Sequence, residues 1–294
     1  MKIQKWLDNN TESLKGKTVA ITGSTGGLGR SIASFVASLG GNLILLDRNE
    51  KRSTEHAKEL FEKFNVFVKT INVDMVDISS VKAMCGKLSQ EKVDVLILNA
   101  GAYNLPRAKA STGFDQTFQI NFLSPYYIVR KMLDVLERNN SKVVVVGSIA
   151  HKGAKIKGND VDFSSVKSKT RVYGNAKMFL MFSLFELLKN NQRVKLAIAH
   201  PGITATNITT NYSKFVQMIV KYPMRIVFTS PKKASLNVLK GIFEDCPYKT
   251  WIGPRIFDIW GKPKLKPLKT CLKEESAKIF EISEELFKKI DKSI

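Results

Sequence analysis

The sequence predicts a doubly wound α/β fold, a parallel sheet with helices on both faces. Three observations carry that prediction. Short apolar runs rich in β-branched residues alternate with helix-period patterns from Lys17 to Ala199. The runs are near-continuous in their apolar character, as strands buried on both faces are. A glycine-rich turn, Gly23 to Gly29, joins the first run directly to the first helix pattern. The chain of 294 residues, 44% of them hydrophobic, is long enough for a sizeable core. Gly and Pro are dispersed and no repeat is visible, so residues 1–294 read as a single domain.

The elements follow in order. Lys17 to Thr22 is the first strand, and Leu28, Ile32, Phe35, Val36 and Leu39 mark one face of the helix behind it, which stops at Gly40-Gly41. Asn42 to Leu46 is a second strand ending at Asp47, and Phe64 to Val73 a third ending at Asp74. Ile78 to Leu88 is an amphipathic helix. Val93 to Leu98 is a buried strand running into Asn99-Ala100-Gly101. Phe114 to Leu136 is a long helical pattern containing Asn121. Lys142 to Val146 holds four consecutive valines and ends at Gly147-Ser148. A helix beginning near Tyr173 follows, and Val194 to Ala199 is a strand ending at His200-Pro201-Gly202.

Ligands of such sheets sit beyond the C-terminal ends of the strands. Asp47, Asp74, Asn99, Ser148 and the Pro201-Gly202 turn all fall there. The glycines let the main chain turn sharply and approach a pyrophosphate, while the helix N-terminus offers unpaired N–H groups and a positive dipole end. Asp47, 18 residues after Gly29, is placed to accept hydrogen bonds from a ribose. The unit reads as a dinucleotide site. A carboxylate at Asp47 suits the free 2′-hydroxyl of NAD(H), and Arg48 beside it suits the 2′-phosphate of NADP(H). Because the acid comes first, at the strand end, NAD(H) is slightly favoured over NADP(H).

Tyr173 and Lys177 are four residues apart at the head of an apolar helix pattern, so both side chains leave it on one side. A phenol ionises near pH ~10, and a nearby ammonium favours its phenolate, which makes the tyrosine usable as a proton donor or acceptor.

Composition excludes other chemistry. Cys85, Cys246 and Cys271 are far apart, and His56, His151 and His200 have no metal-ligand spacing, so neither a disulfide framework nor a metal site is expected. The net charge of +21 comes from 47 basic and 26 acidic residues. The lysines are scattered, many beside Glu as in Glu59/Lys63 and Glu285/Lys289, which reads as a solvated face rather than a nucleic-acid footprint. The densest patch, Lys262 to Lys269, reads as a surface segment. No secretory signal is expected in Met1 to Gly16, and no apolar run reaches the ~18 residues that span a bilayer. A cytoplasmic protein is expected, with Phe215 to Phe228 left open as a peripheral membrane contact.

Together these residues resemble the short-chain dehydrogenase/reductase family over nearly the whole chain, which implies a Rossmann-type fold. Thr22-Gly23-Ser24-Thr25-Gly26-Gly27-Leu28-Gly29 resembles its T-G-x-x-x-G-x-G cofactor loop, and Asn99-Ala100-Gly101 the end of its N-N-A-G motif, with Leu98 in place of the first Asn. Asn121, Ser148, Tyr173 and Lys177 fall where the family carries its catalytic tetrad. Pro201-Gly202-Ile203-Thr204-Ala205-Thr206 resembles its P-G-x-x-x-T segment, whose last residue binds the nicotinamide carboxamide. Within the family the chain is most similar to the retinol-dehydrogenase-like branch, through Ser148 to His151, the long segment to Tyr173, Trp251 to Pro254, and a Glu-rich last helix at about 272–292. Gly147 and Arg255 depart from that branch.

The resemblance implies an NAD(P)-dependent oxidoreductase that interconverts an alcohol and a carbonyl. Tyr173 is the expected general acid/base. Lys177 lowers its pKa and reaches the nicotinamide ribose, Ser148 holds the substrate oxygen, and Asn121 holds a water through its helix backbone. Asp74 is expected at the adenine amino group, or else as a cap for the helix from Ile78, and His151 as a loop residue lining the pocket. The segment at about 203–230 is expected to close over an apolar alcohol or ketone, such as a lipid, steroid or retinoid-like one. The alternative is a cofactor-sensing or regulatory protein without turnover. The tyrosine helix is apolar on more than one face, and either a second copy or a segment of the same chain is expected to cover it.

Overall fold

The computed structural model describes residues 2–154, 167–203 and 229–293. Eight strands form one sheet in the order β3-β2-β1-β4-β5-β6-β7-β8. They are β1 (Thr18–Thr22), β2 (Asn42–Asp47), β3 (Val68–Asn72), β4 (Val95–Leu98), β5 (Lys142–Val146), β6 (Lys195–Ala199), β7 (Thr250–Ile256) and β8 (Trp260–Pro267). Neighbours pair in parallel until β8, which returns antiparallel along β7.

Both faces of the middle of the sheet are buried, and the valines of β5 show how. Val143 and Val145 enter one apolar cluster, Val144 and Val146 the other, because successive side chains of a strand point to opposite faces. One face carries α2 (Gly27–Ser38) and α3 (Glu50–Phe64) together with α8 (Pro231–Phe243), onto which α1 (Ile3–Asn10) packs. The other carries α4 (Ile78–Leu88), α6 (Ser124–Arg138) and α7 (Lys169–Leu188).

The structure redraws two elements. Phe64 is not the start of a strand but the last residue of α3, because Asn65 takes the left-handed conformation (φ 52°) that closes the helix. The pattern at Phe114 to Leu136 is helical but not uniform. A short α5 (Gln116–Phe118) runs into a π turn at Gln119–Leu123, where Ser124 N–H bonds to Gln119 O, before α6 begins. Asn121 sits in that widened turn.

The tyrosine helix α7 is buried from Gly174 to Glu186 without a break. Its cover comes from the same chain, through α9 (Lys273–Ser293). Glu186 accepts hydrogen bonds from Ser276 Oγ of α9 (2.6 Å) and from the Tyr248 hydroxyl, and pairs with Lys189 (2.7 Å). Tyr126 and Tyr127 of α6 donate to Glu284 (2.6 Å) and Asp291 (2.7 Å) of α9. Of the two covers the sequence allowed, the one from the same chain is the one observed.

Candidate active site

The glycine turn and the end of β4 are locked together. Asn99 Nδ2 donates to Thr22 O (2.9 Å) and Gly23 O (3.0 Å), while Thr22 Oγ1 accepts from the N–H groups of Asn99 (3.0 Å) and Ala100 (2.9 Å). Two glycines are irreplaceable for different reasons. Gly23 holds φ +70°, and a Cβ on Gly29 would lie 2.1 Å from Gly23 O. Helix α2 begins at Gly27, followed by Leu28, with no side chain capping its first N–H groups and with Arg30, not an acid, near its start. An uncapped helix N-terminus beside a glycine cradle is suited to a pyrophosphate.

Asp47 departs from expectation. It is 2% exposed, and its carboxylate is filled by its own chain. Ser24 Oγ (2.5 Å) and Ser53 Oγ (2.9 Å) donate to one oxygen, and Thr25 N–H (3.2 Å) to the other. Asp47 therefore ties the glycine turn to Ser53 of α3. Arg48, next in line, is exposed, with its carbonyl held by Asn72 Nδ2 (2.9 Å). Asp74 does not cap α4. It accepts from Val76 N–H (3.0 Å) within its own turn, and the cap is Asp77, which accepts from Ser79 N–H (3.0 Å).

Tyr173, Lys177, Ser148, Asn121 and Gly101 come together beyond β4 and β5. Ser148 follows β5 and stands close enough to Tyr173 to bear on its ionisation. Lys177 Nζ lies 5.9 Å from the Tyr173 ring centre and donates to Val146 O at 2.9 Å. A Cβ on Gly101 would stand 2.8 Å from Asn121 Oδ1 and 3.4 Å from Lys177 Nζ, so a larger residue there would press on the Asn121 side chain. Asn121 Nδ2 donates to Ala102 O (2.8 Å) and Thr117 O (2.9 Å), and its Oδ1 accepts from Ala102 N–H (3.2 Å). Its side chain fixes the loop after β4, which leaves any role in proton relay to its backbone in the π turn.

Burial governs the electrostatics. It brings Lys177 down to about 8. It raises Tyr173 above its ordinary value, and the nearby Ser148 opposes that rise only in part. The proximity of Lys177 thus does not by itself yield a phenolate in the free protein.

His151 does not line this site. It lies in a 3-10 turn, Ile149–Gly153, and is 3% exposed. Its Nδ1 meets Ser148 O (2.6 Å), its Nε2 meets Thr270 Oγ1 (2.7 Å), and its ring stands edge-on to Trp251. Pro201 and Gly202 follow β6, with Gly202 at φ +82°, and Ile203 O accepts from Thr229 N–H (2.9 Å). Thr206, Phe215–Phe228 and most of the segment at 203–230 lie outside the described residues.

A profile of the short chain dehydrogenase family matches residues 17–217. The chain belongs to that family. The chain is 31% identical to retinol dehydrogenase 14 of Mus musculus over 213 residues, which cover 66% of this chain and 63% of that one. It is 29% identical to retinol dehydrogenase 13 of Homo sapiens, over 67% of this chain and 61% of that one. The match thus spans less than two thirds of these relatives. A solved structure, an uncharacterized protein from Mycobacterium Paratuberculosis, has the same Rossmann fold, with a TM-score of 0.78 and 24% identity over 95% of this chain and 96% of that one.

One residue of the short-chain dehydrogenase site escaped the sequence reading. Tyr103, two residues after Gly101, stacks edge-on against Tyr173 with ring centres 5.2 Å apart, and its hydroxyl meets Thr170 Oγ1 at 2.9 Å. Its place two residues beyond a strand-end glycine was the available signal.

Proposed function

We propose that this chain is an NAD(P)-dependent oxidoreductase interconverting an alcohol and a carbonyl. The observation that carries the reading is the buried Lys177 ammonium 5.9 Å from the Tyr173 ring centre, with Ser148 close to the same tyrosine. The glycine cradle fits a dinucleotide, since a Cβ at Gly29 would close it and the α2 N-terminus is open to phosphate. Gly23, Ser24, Gly27, Leu28 and Gly29 would hold the pyrophosphate side. Asp74, Asn99, Ala100, Gly101, Tyr173, Lys177 and the turn from Pro201 to Ile203, with Thr206 beyond it, would hold the rest. Bound there, the nicotinamide supplies or takes up the hydride.

The protein's own part is proton management. In the reducing direction Tyr173 gives its proton to the carbonyl oxygen, and in the oxidising direction it takes the proton of the alcohol. Ser148 donates to the same oxygen as charge develops on it. Lys177, with its pKa near 8, is charged at neutral pH and stabilises the phenolate left after transfer. Asn121 holds the loop after β4 against the π turn.

Cofactor choice turns on Asp47 and Arg48. The sequence leaned to NAD(H) because of Asp47, but a buried carboxylate already filled by Ser24, Thr25 and Ser53 has little left to offer a ribose. Arg48 stands exposed beside it, which favours the 2′-phosphate of NADP(H). The retinol dehydrogenases among its relatives act, by name, on an apolar alcohol, and the aromatic wall of Tyr103 beside Tyr173 supports that class here.

The deciding experiment is turnover of apolar alcohols and aldehydes with NADP(H) and NAD(H), followed by nicotinamide absorbance. Tyr173→Phe is expected to lower the rate on the order of 10²–10⁴-fold with cofactor binding kept. Cofactor binding without turnover on any alcohol or carbonyl would instead support a cofactor-sensing protein.

A further inference from the structure

The hairpin of β7 and β8 ends in an unusual tip. Ile259 N–H bonds to Ile256 O (2.9 Å), closing a turn inside the loop 257–259 between the paired Ile256 and Trp260, and Phe257 (φ 50°) and Asp258 (φ 60°) are both left-handed. Such turns match the twist of the strands and are normally built from Asn, Asp or Gly. Asp258 is at home there, but a bulky phenylalanine is strained in that region. Phe257 gains nothing from burial in return, since it is 80% exposed, the most open large apolar side chain described. Ile256 (49% exposed) and Trp260 (39% exposed) stand directly opposite each other behind it. Three partly or largely exposed apolar groups thus sit together at the tip.

The tip is held firmly. Asp258 pairs with Lys152 (3.0 Å) and Lys266, and its carbonyl meets His200 Nε2 at 3.0 Å. The Pro201-Gly202 turn packs beneath it, for a Cβ on Gly202 would lie 2.9 Å from Ile259 O. Lys266 is turned back to Pro254 O as well, but Arg255, Lys262 and Lys264 flank the apolar group and are exposed. A strained, exposed aromatic on a rigid mount suggests a side chain retained for what it does outside the fold.

We propose that the β7–β8 hairpin docks this protein on an anionic lipid bilayer. Phe257 and Ile256 enter the acyl boundary, Trp260 sits at headgroup depth, and Arg255, Lys262 and Lys264 meet the anionic headgroups. The net charge of +21 favours the same surface. Docking here brings the Pro201-Gly202 end of the site toward the membrane. The element is distinct from Phe215–Phe228, and the proposal does not depend on catalysis, because binding is read without substrate.

The test is co-sedimentation of the full chain with phosphatidylcholine vesicles, with and without phosphatidylserine, for wild type and Phe257→Asn. Asparagine is at ease in the left-handed region, so this variant folds at least as well as wild type. Wild type is expected to pellet with the anionic vesicles and to release in high salt. Phe257→Asn is expected to weaken binding about tenfold or more. Lys262→Glu with Lys264→Glu is expected to weaken it on anionic vesicles only. Trp6 and Trp251 are buried, so a blue shift of tryptophan emission on vesicle addition reports Trp260. Absence of pelleting, or equal pelleting of wild type and Phe257→Asn, overturns the proposal. A concentration-dependent dimer that Phe257→Asn dissolves also overturns it, and assigns the tip to a second copy.

Discussion

Lys177 Nζ donates to Val146 O at 2.9 Å, which ties the helix carrying Tyr173 to the end of the central valine strand. Burial lowers this lysine from 10.5 to about 8, so the folded chain gives up the proton more readily than the unfolded chain. Between about pH 8 and 10.5 the unfolded state binds more protons, and Lys177 makes stability rise with pH across that window. Below it the cost of the buried charge is fully present. The stability of wild type relative to Lys177→Met is expected to climb from pH 8 upward, while the variant loses activity at every pH. Thermal unfolding of both proteins as a function of pH checks this, and a constant difference would count against it.

Asp47 and Arg48 are expected to behave in opposite ways. Asp47→Ala strips Ser24, Ser53 and Thr25 of a shared charged acceptor and is expected to cost about 3 kcal/mol of stability. Arg48→Ala, on an exposed side chain, is expected to leave stability within about 0.5 kcal/mol. The same change is expected to weaken NADPH about tenfold while sparing NADH. Denaturant unfolding and cofactor fluorescence titrations separate the two.

Gly29→Ala is a test of the cradle. The added Cβ would lie 2.1 Å from Gly23 O, a backbone atom that cannot swing away. The substitution is expected to cost about 1–3 kcal/mol and to abolish cofactor binding. Gly26→Ala, whose Cβ would meet nothing nearer than 3.7 Å, is the control expected to fold normally.

The helix α9 is expected to keep this chain from dimerising through α7. Glu186→Ala leaves Ser276 and Tyr248 without their acceptor and is expected to cost about 3 kcal/mol. Deletion of residues 273–294 uncovers the apolar face of α7 and is expected to produce concentration-dependent association. Sedimentation of the intact and shortened chains decides it.

The parts of the molecule that repeat a physical rule were legible in the sequence. A β-branched run, a glycine turn and a 3.6-residue period place β1, α2 and β2, and the Tyr173/Lys177 spacing places both groups on one side of α7. What sequence could not show is where a side chain finds its partner. Asp47 points inward because Ser24 and Ser53 meet it from two other elements, and His151 is drawn away by Thr270, 119 residues further on. Phe64 closes α3 instead of opening a strand because one left-handed residue, Asn65, decides where the helix ends. The hairpin was missed although its signal was present. Lys262, Lys264 and Lys266 alternate with Pro263, Leu265 and Pro267, the period-two pattern of an edge strand defended by charge and proline against further pairing.

The strand order has a consequence for a ribosome-bound chain. β1 is flanked by β2, its near neighbour in sequence, and by β4, whose residues Val95–Leu98 emerge long afterwards. Until then the nascent β3-β2-β1 unit has one side of β1 unpaired, a ready template for wrong partners. The Asn99 clamp on Thr22 and Gly23 comes one residue after β4 ends, so the cradle is finished by the same stretch of chain that seals that edge. A nucleotide therefore gains a complete seat only once that side of β1 is paired.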